Sequence, residues 1–182
     1  MNAKYLKLKT GFSLIEALIA IAILIVGILS AFLLLIRTTA TIPAMQARLT
    51  AVNLAQEGIE EVRALRDSDF VSGQNFKTFL PSANRNTTAT YQIEVAGNML
   101  GKIYLLQGLN DKPLYFEPSL NLYSYYSSGP GPQKSIFYRS IIIDATAKDS
   151  IDVTAEVRYN LRGKDQIITA TDRLYNWLNP TP

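Results

Sequence analysis

The hydrophobic positions of the chain follow three different patterns in succession. From Ala17 to Ile36 no residue is charged, and only Gly27 and Ser30 interrupt the run of apolar side chains. At about 1.5 Å of rise per residue, such a helix spans roughly 30 Å, the thickness of a bilayer's hydrocarbon core. A helix apolar on every side needs lipid or a large protein around it. The apolar region of a secretory signal, about 7–15 residues, is shorter than this run. The pattern predicts a membrane span.

A polar stretch, Arg37-Thr38-Thr39-Ala40-Thr41, comes next, followed by Pro43. Proline lacks the backbone donor and crowds the preceding turn, which predicts a kink or short break near Thr41–Ala44. A helical period then resumes. Met45, Leu49, Val52, Ala55, Ile59, Val62 and Leu65 recur at spacings of three and four, as expected of one buried face. Arg48, Glu57, Glu60, Glu61, Arg63, Arg66 and Asp67 are assigned to the opposite face, with Glu60–Arg63 and Arg63–Asp67 as expected ion pairs. Gly58 costs about 1 kcal/mol relative to alanine inside a helix, and its presence suggests close packing there. The helix is expected to end around Asp67–Phe70, before Ser72-Gly73.

Beyond residue 70 the period changes to two. Tyr91–Val95 alternates, and Lys102–Leu106 is a short apolar run. In Ile151–Leu161 every odd position but one is strongly apolar (the exception is Ala155), and every even one is polar. That alternation describes a strand with one dry face and one wet face. Ile136–Ala147 precedes it across Lys148-Asp149-Ser150, and Gln166–Leu174 follows across Arg162–Asp165, which predicts an antiparallel meander. The dry face is the natural seat for the amphipathic helix. Asn84–Thr90 is polar and strand-poor. Residues 113–132, "PLYFEPSLNLYSYYSSGPGP", mix tyrosines with Pro, Ser and Gly. Such a loop is either a recognition surface or, the reading favoured here, a segment whose tyrosines pack back onto the sheet edge.

Charge alters this picture in one place. Lys4, Lys7 and Lys9 precede the span with no acid before Glu16, which favours a cytoplasmic N-terminus; Arg37 alone does not outweigh them. The net charge of +3 invites a nucleic-acid reading, but three of the 18 basic residues lie in that leader and the other 15 face 15 acidic ones. Bulk charge therefore gives no nucleic-acid footprint. With no Cys and no His, the chain can build no disulfide, zinc site, Cys-His dyad or Ser-His-Asp triad. No cofactor or metal is expected. Asp67 and Asp69 could approach a calcium ion, but two acids at a helix end more often serve capping.

The segment Gly11-Phe12-Ser13-Leu14-Ile15-Glu16, after a short lysine leader and before the apolar run, resembles the type IV prepilin signature. The resemblance covers residues 1 to about 67, and its family includes type IV pilins and the pseudopilins of type II secretion. It implies an α+β, pilin-like fold: a long N-terminal helix, apolar then amphipathic, packed on an antiparallel β-sheet. It implies cleavage between Gly11 and Phe12 by a prepilin peptidase that also N-methylates Phe12. Glycine before the scissile bond leaves the backbone open to close approach. The implied organisation is a cleaved leader at 1–11, a transmembrane or filament-core helix at 12–36, an amphipathic helix at 37–70 and an extracytoplasmic β domain at 71–182. Glu16 would pair with the new terminal amine, its own or a neighbour's, during assembly. The implied partners are the peptidase/methyltransferase, other pilin or pseudopilin subunits, an inner-membrane assembly platform and, before assembly, the lipid bilayer. The stretch Arg48–Asp67 and the ending "DRLYNWLNP" look most like minor pilins of the PilV kind or I-type pseudopilins. Pro43 falls later than the kink position expected in many major pilins, and the disulfide with which many of them close a C-terminal loop cannot form here.

The expected function is thus structural: a minor pilin or pseudopilin without catalysis, in a bacterial inner membrane and then an extracytoplasmic filament. The alternatives are an adhesion or DNA-uptake pilin acting through its β-domain loops, and an anchored periplasmic enzyme or sensor. The last has little to build on, because Asp152 and Glu156 share a wet strand face with Thr154 and Arg158, and nothing pairs them or Asp144 across a cleft.

Overall fold

The computed structural model of the chain describes residue 11 and residues 13–94, 102–105, 112–125 and 131–178. It divides into two compact units that meet in sequence at Met45 and Gln46. One helix, α1 (Leu14–Val71), supplies residues to both. Its assignment is unbroken through Pro43, so the expected break near Thr41–Ala44 is absent. Proline removes a single donor, and the hydroxyls around it bond to carbonyls one turn back: Thr38 to Leu34, Thr39 to Leu35, Thr41 to Thr38. One missing bond between intact turns does not end so long a helix.

The second unit contains a five-stranded antiparallel sheet in the order β2-β1-β6-β7-β8. Its strands are β1 (Thr88–Glu94), β2 (Lys102–Leu105), β6 (Phe137–Asp144), β7 (Ser150–Leu161) and β8 (Lys164–Tyr175). β6, β7 and β8 form the meander that the alternating pattern predicts. Arg162 and Gly163, with φ of 53° and 77°, make the two-residue turn between β7 and β8. Positive φ at both positions matches the right-handed twist of a tight hairpin. β1 begins earlier than expected. Thr88–Thr90 pair with Ile142–Asp144, and the polar stretch before them is a short 3-10 helix at Ser82–Asn84.

Residues 51–66 of α1 lie on the dry face of this sheet. Ala51, Leu54, Ala55, Ile59, Val62 and Leu65 are buried with Tyr91, Ile93, Ile141, Ile143, Ile151, Val153 and Val157. Gly58 sits at the tightest point. A Cβ there would run into the end of the Ile141 side chain, with Arg139 and Ala155 within 3.5 Å. The close packing expected at Gly58 is present.

The predicted buried face needs two corrections. Met45 and Leu49 are 69% and 63% exposed. From Met45 to Leu65 the chosen positions recur about every 3.3 residues, so the stripe winds roughly 160° around a helix of 3.6 residues per turn. Its start and its end cannot share one face. Conversely, Glu61 and Arg66, assigned to the solvent side, are each only 8% exposed. The pairing also differs: Arg63 bonds Glu60 at 2.6 Å as expected, but its other partner is Asp172 on β8, at 2.7 Å, and Asp67 bonds Arg66.

A second, smaller sheet joins β3 (Tyr115–Glu117), β4 (Leu122–Ser124) and β5 (Gln133–Lys134) in the order β4-β3-β5. It accounts for part of the 113–132 loop. The Tyr123 ring meets Phe137 edge-on at 5.8 Å, and the Tyr125 hydroxyl donates to the Arg139 carbonyl at 2.8 Å. Both tyrosines fold back onto the sheet.

Candidate processing and assembly site

The N-terminal site is built by the start of α1. The amide of Ala17 donates to the carbonyl of Ser13 at 3.1 Å, which opens the helix. The first turn then has free N–H groups and the positive end of the helix dipole. Glu16 stands in that turn with its side chain exposed, where a carboxylate is electrostatically favoured. Gly11 is exposed, and among the described residues no atom lies within 4 Å of where its Cβ would be, which leaves its backbone open to close approach. Phe12 and the leader lysines lie outside the described residues.

The helix that follows has an 18-residue window of mean hydropathy 3.2, none of it buried. Every large aliphatic side chain from Leu14 to Ile36 is at least half exposed, from 51% at Ile25 to 80% at Leu14. The Ser30 hydroxyl in the middle of the run donates to the Val26 carbonyl at 2.8 Å. A polar group satisfied within its own helix adds little cost in an apolar medium.

A second polar constellation was not visible in the pattern. Arg139 occupies an inward position of β6, between Phe137 and Ile141, and is 3% exposed. Its Nη1 donates to Glu57 at 3.1 Å and to the Leu54 carbonyl at 3.3 Å. Its Nη2 donates to Glu61 at 3.0 Å and to the Ile93 carbonyl at 3.2 Å. Burial alone would lower the Arg139 pKa. The carboxylate of Glu61, with Tyr125 and Glu57, more than offsets that and raises it. The cluster joins α1 to β1 and β6 and is a structural clamp. The signal for it was available: a cation in the dry register of a strand requires an acid on the helix facing it.

The acids weighed for catalysis or metal binding are otherwise engaged. Asp152 accepts from Arg173 at 2.5 and 2.7 Å, Asp144 from the Thr146 hydroxyl at 2.7 Å, and Glu156 lies 3.5 Å from Arg158. At the helix end Asp69 accepts from the Phe79 amide at 2.6 Å, and desolvation raises its pKa. Among the described residues no three acids gather as a metal site would require.

Residues 6–32 match the family model of the prokaryotic N-terminal methylation motif. No curated protein and no solved structure matches the chain. The match spans the Gly-Phe pair, Glu16 and most of the exposed apolar stretch of the helix. The helix-on-antiparallel-sheet arrangement is consistent with a pilin-like fold. The chain therefore opens with a type IV prepilin-like signal, which supports a type IV pilin- or pseudopilin-like protein.

Proposed function

We propose that this chain is a structural subunit, a minor pilin or pseudopilin of the PilV or I-type kind, that joins or primes a type IV pilus-like filament and carries out no catalysis. A prepilin peptidase removes residues 1–11 by cleaving between Gly11 and Phe12, and methylates the amine of Phe12. Residues 12–36 anchor the chain in the inner membrane with the N-terminus cytoplasmic, and later enter the filament core beside other subunits. The observation that carries this reading is the methylation motif at residues 6–32 running into a bare apolar helix with one carboxylate in its first turn.

Glu16 links the two states. An acid at the centre of a bilayer costs about 2.5–3.5 kcal/mol and less near the interface. Cleavage creates a cationic amine four residues from that acid, so a docking neighbour's amine offers it a partner and an axial register. The test is Glu16→Ala. The variant should insert into the membrane as wild type does but be depleted from sheared or immunopurified filaments. Wild-type levels in the filament fraction would overturn the pairing.

A further inference from the structure

We infer that the outer edge of β8, which pairs with no strand among the described residues, is a pairing surface for β8 of a second copy of this chain, in one antiparallel register centred on Thr169. This goes beyond the N-terminal reading and does not rest on it. β8 is the terminal strand of the five-stranded sheet, twelve residues long, with no proline, no glycine and no cation between Lys164 and Arg173. Edge strands that avoid association are usually short, bulged, or interrupted by lysine or proline.

Two bonds fix which groups face outward. The Asn176 amide donates to the Asp149 carbonyl at 2.9 Å, which continues the ladder to β7 through even-numbered residues. The Arg173 amide instead meets its neighbour's carboxylate, Asp172, at 2.8 Å. Asp165, Ile167, Thr169 and Thr171 therefore turn their N–H and C=O groups to the open edge.

Charge selects the occupant. With a two-fold axis at Thr169, Asp165 of each copy faces Arg173 of the other, and Ile167 faces Thr171. Moving the axis to Ile168 sets Asp165 against Thr171, and moving it to Ala170 sets it against Tyr175. The Ile168 register also sets Lys164 against Asp172, but both oxygens of Asp172 are already taken, by Arg63 and by the Arg173 amide. The Thr169 register opposes Asp165 and Arg173 twice. Arg173, which holds Asp152 through Nε and Nη2, carries five N–H donors in all. Cross-strand pairs of unlike charge stabilise a ladder, whereas like charges directly opposite destabilise it.

The chain has no cysteine, so one introduced thiol reports the axis directly. The full chain carrying Thr169→Cys, in detergent micelles, should oxidise to a disulfide-linked dimer several-fold faster than Thr154→Cys on β7. Opposed Cα atoms across such a pair lie about 5.5 Å apart, within disulfide reach. In a Thr169→Cys, Asp152→Asn background, which removes the carboxylate that Arg173 holds within its own sheet, Asp165→Arg should lower the yield several-fold, and adding Arg173→Asp should restore it. Equal oxidation of the Thr169 and Thr154 variants would overturn the proposal, as would failure of the charge swap to rescue. A cross-link in cell membranes to a protein of different mass, with no homodimer, would also overturn it and identify another subunit as the occupant.

Discussion

The two halves of α1 differ in what covers their apolar side chains. From Leu14 to Ile36 the large aliphatics are half or more exposed, whereas Leu54, Val62 and Leu65 are 2%, 0% and 8% exposed. The side chains differ accordingly. The first half is apolar on all sides, isoleucine and leucine with alanines between them, suited to surroundings that are apolar in every direction. The second half has small residues, Ala51, Ala55 and Gly58, where the sheet approaches, and charges elsewhere. A helix covered by its own chain shows the shape of that cover in its sequence. A helix awaiting lipid or neighbours shows only uniform hydrophobicity.

The largest expected effect comes from breaking the covered half at its clamp. Arg139→Ala leaves Glu61 buried without its guanidinium and should destabilise the sheet unit by about 3–5 kcal/mol. Trp177, the one tryptophan, packs edge-on against Phe70 at 5.3 Å and reports unfolding of that unit in urea. The apolar half should stay helical in micelles by circular dichroism. Next comes a matched pair of leucines. Leu54→Ala should cost about 2–5 kcal/mol by the same urea titration. Leu49→Ala, five residues earlier on the exposed side, should stay within about 0.5 kcal/mol of wild type.

The glycines sharpen the contrast further. Gly58→Leu should destabilise the sheet unit by about 1–3 kcal/mol through overpacking against Ile141. Gly27→Ala meets open space and should leave the Trp177 transition unchanged. The smallest effect concerns pH. The hydrogen bond from Arg173 depresses the Asp152 pKa below its usual 3.8. A depressed carboxylate contributes stability fully above its unfolded pKa and loses it as pH falls through the folded value. Asp152→Asn should therefore lower stability slightly at pH 7, as expected of an exposed pair, and the difference from wild type should vanish as pH falls below about 4.

Much of the fold was legible because its periods are clean. The strict alternation of Ile151–Leu161 places its odd residues inside, and all of them up to Tyr159 are buried. The Gly-Phe pair, the acid and the apolar run are local features that need no tertiary knowledge. What escaped depended on partners distant in sequence. The burial of Glu61 requires Arg139, 78 residues away, and the second partner of Arg63 is Asp172, 109 residues away. Met45 and Leu49 misled for a geometric reason, since a stripe repeating every 3.3 residues does not stay on one side of the helix.

The central claim is that the bare half of α1 becomes functional through processing immediately in front of it. Intact-mass measurement on the chain isolated from membranes of a host with a prepilin peptidase tests this directly. The account predicts the mass of residues 12–182 plus one methyl group, with the methyl on the amine of Phe12. A chain retaining residues 1–11 in the membrane, or one cut at another bond, would contradict it.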